Sequence, residues 1–185
     1  MVSTSIDVVF KSILMQVVRT LQRDRIPFGA TRLIKLVYLV ELEYYRCYQN
    51  RITGVDWVYY KFGPYVMNYP EYFQHGLERL IDEDNDYHLI TLSYDTTNEE
   101  YNKTAQRIVE RVVKEFGDLK LNDLLDYVYY NTEPMMAVEN RGDIIDFTIV
   151  PTKQDTRTIE PKISEYKYNK LLNELRTRAH HAIEL

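Results

Sequence analysis

Five stretches of the chain carry apolar residues three or four positions apart, the spacing that places side chains on one face of an α-helix. These predicted helices cover residues 6–21, 31–49, 97–117, 121–131 and 163–179. The second is apolar around most of its circumference, so we predict that it is the central helix, capped by Thr31. Thr97 and Glu100 form a capping box for the third helix, and Gly117 is placed to end it.

Three shorter stretches have the pattern of strands. Residues 52–62 are rich in β-branched and aromatic residues, residues 87–94 alternate in polarity, and residues 144–150 form a short apolar run. We expect the first two to pair with each other. The segment WVYYKFGPY, residues 57–65, places five aromatic residues around a Gly-Pro pair. Gly63 permits backbone angles closed to other residues, and Pro64 suits the first position of a helix, so the segment predicts a strand, a corner and a helix start.

The helix expected after Pro64 is interrupted or restarted at Pro70. The second part of that helix has a buried stripe, consisting of Tyr72, Phe73, Leu77, Leu80 and Ile81. The whole pattern predicts a mainly α fold, a compact helical domain around a central hydrophobic helix, with a small antiparallel β element (α+β, minor). We expect residues 1–150 to form the domain. Residues 151–185 would form a polar link and a C-terminal helix that packs on the same domain.

Residues with catalytic or metal-binding potential are few and lack the spacing that such chemistry needs. Cys47 is the only cysteine, and the four histidines do not form a metal-binding motif. Asp82, Asp84 and Asp86 begin like a calcium loop, but Tyr87 and Ser93 stand where that loop needs Gly and Glu. We therefore predict no catalytic residue, no metal and no cofactor, and interpret the acidic stretch as a solvated loop or a dock for a basic partner.

Composition favours a protein that binds other proteins. The net charge of −5 argues against a broad phosphate-binding face, and 17 of the 185 residues are tyrosines. Nine of these lie between Tyr38 and Tyr72. Tyrosine provides rigid contact area with a polar tip and is enriched at interfaces, although the same residues could line the rim of the protein's own core.

A basic cluster provides the alternative hypothesis. It lies around the turn between the first two helices and consists of Arg19, Arg23, Arg25, Arg32 and Lys35. Such a patch beside tyrosines could contact phosphate and stack on bases, as in a DNA-binding transcriptional regulator. The competing interpretation is that these side chains neutralise acidic residues or the C-terminal end of the first helix.

The helix TRLIKLVYLVELEYY, followed by Trp57 and the FGPY corner, resembles the Panacea domain, also described as the SocA-like antitoxin domain. The family pattern falls on Leu33, Lys35, Leu36, Tyr38, Gly63 and Pro64. A second similarity lies in LLDYVYYNTEPMM, where the family has a helix that ends in an acidic residue and a proline, here Pro134. Many members place tryptophan after that proline, where this chain has Met135.

The resemblance implies a prokaryotic, phage-associated type of antitoxin, a mainly helical domain that neutralises a cognate toxin by direct binding, in some relatives by delivery to a protease. We therefore expect a cytoplasmic, non-enzymatic interaction module whose partner is a toxin protein, with a protease and self-association left open. Nucleic acid and membranes are not expected as partners. The residues predicted to contact the partner are the tyrosines on and around the corner and the central helix: Tyr44, Tyr45, Tyr48, Tyr59, Tyr60 and Tyr65. Trp57 and Gly63 are expected to serve the architecture.

Overall fold

A computed structural model describes residues 4–67, 77–82, 87–92 and 103–152. Its helices are α1 (Thr4–Arg23), α2 (Ala30–Tyr48), α3 (Lys103–Phe116), α4 (Leu121–Asn131) and α5 (Glu133–Ala137). Its strands are β1 (Val58–Tyr60), β2 (Gly63–Tyr65), β3 (Leu77–Asp82) and β4 (Tyr87–Leu92). The predicted fold class is confirmed, since helices dominate and the strands form small antiparallel pairs. None of the described helices is long and apolar enough to span a bilayer.

Helix α2 lies at the centre of the domain, as its apolar circumference predicts. It packs against α1, α3, α4 and β2, and its residues from Leu33 to Glu43 are all buried. The predicted cap at Thr31 is wrong. The helix begins at Ala30, and the N-cap position is an extended Gly29, whose carbonyl accepts the N–H of Leu33 at 3.0 Å.

The Gly-Pro corner is a hairpin turn, and the predicted helix start at Pro64 is wrong. β1 and β2 pair in antiparallel fashion with Tyr60 opposite Gly63, which leaves Lys61 and Phe62 as the connecting loop. Gly63 has φ +87°, a conformation that L side chains rarely adopt, so glycine is the residue that this reversal requires. In this register the backbone of Pro64 faces away from β1, so its missing N–H removes no hydrogen bond from the ladder.

The second hairpin corrects two further predictions. β4 confirms the strand expected at 87–94, but its partner is β3 and not the segment around Trp57. Leu77, Leu80 and Ile81, expected on the face of a helix, lie in β3. A pattern as short as LERLID fits a strand and a helix turn about equally well, and here the neighbouring strand decides between them.

A third chain segment extends the first hairpin. Ile144 forms an antiparallel bridge with Val58, and the N–H of Ile145 donates to the Trp57 carbonyl at 2.8 Å. The strand expected over 144–150 is therefore confined to its first residues, because the chain turns at Thr148 and Ile149. Gly142 and Asp143 both hydrogen-bond to Tyr59, an arrangement typical of a β-bulge, and Gly142 has the positive φ of +98° that such a bulge uses.

Several predictions fall outside the described residues. They are the restart at Pro70 with Tyr72 and Phe73, most of the acidic loop, the capping box at Thr97 and Glu100, and the C-terminal helix. α1, α3 and α4 confirm the other predicted helices, and the turn at Gly117 directly follows α3, with its N–H donating to the Val113 carbonyl at 2.8 Å. A Cβ on Gly117 would lie 2.4 Å from that carbonyl, so the tight packing there requires glycine.

Candidate functional site

The inner side of the first hairpin rests on a buried aromatic cluster. Trp57 and Tyr38 are both fully buried, with ring centroids 5.3 Å apart in an edge-on arrangement, and Phe10 of α1 packs 6.2 Å from Trp57. Phe147 lies 5.8 Å from Tyr38 on the other side. These contacts join α1, α2, the start of β1 and the segment after Ile144, and Trp57 lies among them.

Lys35 ties the central helix directly to the hairpin. Its side chain is buried, and Nζ donates a hydrogen bond of 2.7 Å to the carbonyl oxygen of Pro64. Burial lowers the pKa of Lys35 to about 7, since an ammonium group loses hydration in the domain interior. Lys35 and Pro64 thus form one structural unit, in which the lysine holds the outward-facing carbonyl of β2 against α2.

Helix α4 supports the hairpin from a second direction. The ring of Tyr129 packs 3.5 Å from the position that a Cβ of Gly63 would occupy, and 6.2 Å, between ring centroids, from Tyr59. Burial and the neighbouring Tyr59 raise the pKa of Tyr129. Tyr59 therefore points inward and is half-buried, and the backbone at the Gly63 turn is held by contacts with both α2 and α4.

The opposite side of the hairpin presents aromatic rings to solvent. Because side chains alternate along a strand, Val58 and Tyr60 share one face of β1, and the pairing places Tyr65 and Ile144 on that same face. We name these four residues the outer face. Tyr60 is 52% exposed, and its ring centroid lies 5.5 Å from that of the half-buried Tyr65. Phe62, at the turn, is also 52% exposed, and the Lys61 ammonium lies 5.2 Å from its ring centroid.

The other predicted contact residues lie at the far end of α2. Tyr44 and Tyr48 pack with ring centroids 4.6 Å apart, and we name them the helix-end pair. Tyr48 is 51% exposed, whereas Tyr45 turns toward Phe147 at 6.0 Å. At 1.5 Å per residue, Tyr48 is about 20 Å along the helix from Lys35, the residue that holds the hairpin. The six predicted tyrosines therefore form two groups.

A buried network of charges holds the C-terminal half of α2. Arg46 donates to the carboxylates of Glu43 and of Glu133, the first residue of α5. Burial opposes the charge on Arg46, but these two carboxylates outweigh it and raise the pKa of the guanidinium further. Glu133 thereby ties the start of α5 to α2, which gives the acidic residue at this point a structural role.

A second buried carboxylate organises the loop that leads into β1. Glu41 is fully buried and accepts the N–H of Ile52 at 2.8 Å and the Nε of Arg51 at 2.9 Å, together with the hydroxyl of Thr53. The Arg51 guanidinium also lies 4.4 Å from the ring centroid of Phe147. These contacts hold the loop in place immediately before Trp57, and so position the start of the hairpin.

The family described as antitoxin SocA-like, Panacea domain, matches residues 33–134, which is more than half of the chain. The chain belongs to this family. Comparisons with curated proteins and with solved structures gave no match. The matched range begins in α2 and ends at Pro134, so it contains the hairpin, its support by Lys35 and Tyr129, and the Arg46–Glu133 contact. Family membership supports an antitoxin-type role.

The basic cluster does not form a single exposed face of this Panacea domain. Arg32 donates to the carbonyls of Gly117 and Leu119, and Lys35 is buried against Pro64. Arg23 is exposed and pairs with Asp24 at 2.9 Å and with Glu110 at 3.4 Å. Three of the five side chains that would bind phosphate in the alternative hypothesis thus contact their own domain, and of these Arg23 pairs with acidic residues, as the neutralising interpretation expects.

Sequence reasoning missed four residues of the candidate surface. Phe62, Tyr129, Tyr130 and Ile144 were not among the predicted contacts. Tyr129 supports the hairpin, Phe62 is exposed at its turn, Ile144 is exposed on the segment paired with it, and Tyr130 is exposed next to Tyr129, with ring centroids 6.2 Å apart. Tyr129 and Tyr130 belong to the LLDYVYYNTEPMM segment, so family resemblance could have pointed to them. Ile144 had no such signal, because only its pairing with Val58 brings it to the outer face.

Proposed function

We propose that this protein is an antitoxin that neutralises a cognate toxin by direct binding, and that the outer face with Phe62 forms the centre of the contact. The observation that carries the proposal is the pair of half-exposed rings, Tyr60 and Phe62, on a hairpin whose inner side packs on the core through the buried Trp57 and the half-buried Tyr59. Exposed aromatic residues on a fixed backbone are the residue types that dominate binding energy at interfaces.

The supporting contacts reduce the entropic cost of association. Lys35 holds Pro64, Tyr129 packs on Gly63, and Trp57 anchors β1 in the core. A partner that covers Tyr60 therefore has to order few additional degrees of freedom, since the backbone beneath the ring is already positioned. The helix-end pair is the second candidate contact, because it also presents a packed pair of tyrosines with one ring half exposed.

The test is rescue of growth by co-expression with the small protein encoded by the neighbouring gene. Wild-type protein should restore growth, and purified wild-type protein should bind that toxin. Changing Tyr60→Ala together with Tyr65→Ala should weaken binding by about tenfold or more, since two anchor rings are lost. Circular dichroism and a thermal melt of the double variant check that the domain remains folded.

The matched control is Tyr44→Ala together with Tyr48→Ala, which also removes one exposed and one half-buried ring. Loss of rescue in this control alone would move the contact to the helix-end pair. A neighbouring protein that is not toxic, or a toxin that the wild type does not bind, would contradict the antitoxin function itself. Measuring the toxin level during rescue separates the two modes of action, because simple binding preserves the toxin and delivery to a protease lowers its level.

A further inference from the structure

The small sheet has an open edge at Ile144. In the bridge between Val58 and Ile144, the hydrogen bonds run from Tyr59 N–H to the Asp143 carbonyl and from Ile145 N–H to the Trp57 carbonyl. The N–H and C=O of Ile144 itself therefore point away from β1. Among the described residues, no hydrogen bond uses either group. Such an edge is a template on which another extended chain can pair.

The open edge adjoins the outer face. Ile144 is 64% exposed, and its side chain lies on the same side of the sheet as Val58, Tyr60 and Tyr65. A strand added beside Ile144 would therefore continue the sheet, and its alternate side chains would lie next to Ile144 on this face. Backbone pairing and aromatic contact are thus available to one and the same partner segment.

Charge around the edge indicates the chemistry of that segment. Residues 139–146 contain three acidic side chains, Glu139, Asp143 and Asp146, against the single base Arg141, and all four are exposed. Asp56 is also exposed, and the antiparallel register places it opposite Asp146. A second copy of this chain would bring the same acidic residues together, which costs free energy, whereas a basic segment is attracted.

We propose that the cognate toxin binds by adding a short, basic, extended segment to the sheet edge at Ile144, with an apolar side chain of that segment beside Ile144 on the outer face. The bulge at Gly142 and Asp143 disrupts the edge on one side, and the turn at Thr148 ends it on the other, so the added strand is short. Main-chain hydrogen bonds supply affinity in this mode of recognition, and the alternate side chains supply specificity. This inference rests on the proposed antitoxin function.

The decisive measurement is amide hydrogen exchange at Ile144 in the full-length protein, alone and in complex with the toxin from the neighbouring gene. We expect this amide to exchange rapidly in the free protein and to become at least about tenfold slower in the complex, because it then donates to the toxin backbone. Unchanged exchange at Ile144 in a formed complex overturns the edge pairing and leaves the antitoxin function intact. If no complex forms, the antitoxin function fails and the edge pairing fails with it.

Two variants distinguish the contribution of the Ile144 N–H to toxin binding from the contribution of the Ile144 side chain. Ile144→Pro removes the outward N–H but none of the hydrogen bonds to β1, and we expect it to weaken toxin binding by about tenfold or more. Ile144→Ala keeps the N–H and should weaken binding less. Equal binding by the proline variant and wild type, with both folded by circular dichroism, contradicts the proposal. Should the proline variant not fold, the exchange measurement on the wild type still decides.

A third variant tests whether the segment that pairs at Ile144 is basic. A size measurement tests whether the edge is occupied by the toxin or by a second copy of this chain. Asp56→Lys should slow association with the toxin and reduce its dependence on salt, since a basic partner is then repelled. An unchanged rate argues against a basic segment. Protection of the Ile144 amide in the free protein, together with a dimer by light scattering, would assign the edge to a second copy and overturn the proposal.

Discussion

The two sides of the first hairpin both carry aromatic residues, but one side is buried in the core and the other is exposed to solvent. On the inner side, Trp57 is fully buried against Tyr38 of α2. On the outer side, Tyr60 is half exposed, and its ring lies 5.5 Å, between centroids, from that of Tyr65. Only three positions separate Trp57 from Tyr60, so aromatic density alone does not distinguish stability from recognition. The alternation of side chains along a strand makes that distinction.

The largest expected effect tests this contrast directly. Trp57→Ala should lower the free energy of unfolding by about 3 to 5 kcal/mol, because it leaves a large cavity among α1, α2 and β1. Tyr60→Ala, the matched change on the outer side, should cost less than about 1 kcal/mol, since its ring is already half in water. Urea denaturation of both variants measures the difference. Similar losses at the two positions would mean that the inner and outer sides are not distinct.

The stability of the domain should depend on pH through Lys35, the buried residue that holds β2 beneath the outer face. Its pKa is about 7 in the folded protein and near 10.5 in the unfolded chain, so between these values the unfolded state binds more protons. We therefore compare the free energy of unfolding of the wild type with that of Lys35→Met. The wild-type value minus the variant value should be lowest at and below pH 7, and it should increase as the pH is raised above 7, by at most about 1.4 kcal/mol per pH unit.

Denaturation of the wild type and of Lys35→Met at pH 6, 7, 8 and 9 follows this difference. The lost hydrogen bond to Pro64 adds an offset that does not depend on pH, so only the slope is informative. Lys61→Met, at an exposed lysine, provides the control for the loss of one lysine from the chain. Parallel stability curves for the wild type and Lys35→Met would contradict a lysine that is neutral in the folded state.

The smallest expected effect concerns two glycines with positive φ, Gly63 at the hairpin turn and Gly142 in the bulge. Gly63→Ala should cost about 1 to 2 kcal/mol, because the backbone at φ +87° is unfavourable for a residue with a Cβ. Gly142→Ala is the matched control, with φ +98° and open space around the added methyl group. Equal losses in thermal melts would assign the cost to the backbone alone. A larger loss at Gly63 would show that packing against Tyr129 also contributes, and no loss at either glycine would contradict the turn geometry.

Predictions from the sequence succeeded where the signal was local and long. The periodicity of α1, α2, α3 and α4 identified these helices, and the apolar circumference of α2 identified it as the central one. The predictions failed at the Gly-Pro corner, because a glycine followed by proline is compatible both with a helix start and with the second strand of a hairpin. Nothing within FGPY distinguishes these, and the contacts of Lys35 and Tyr129 decide between them.

The candidate surface was predicted only in part for a similar reason. Tyr60 and Tyr65 belong to the predicted set and lie together, but Tyr59 turns inward and the helix-end pair lies elsewhere. Exposure depends on which face of a strand or helix meets the core, and an aromatic-rich segment has no polar positions that would reveal this face. Ile144 joins the surface only through a pairing across more than 80 residues.

The amino-acid sequence by itself determined the helical framework and membership of the antitoxin family, since each depends on patterns of residues that can be read along the chain. Only the tertiary structure decided which strands pair, which rings remain in water, and that Arg32, Lys35 and Arg46 are used inside the domain. These outcomes depend on contacts between distant segments, and the free energy of a buried charge or ring is set by the groups that surround it.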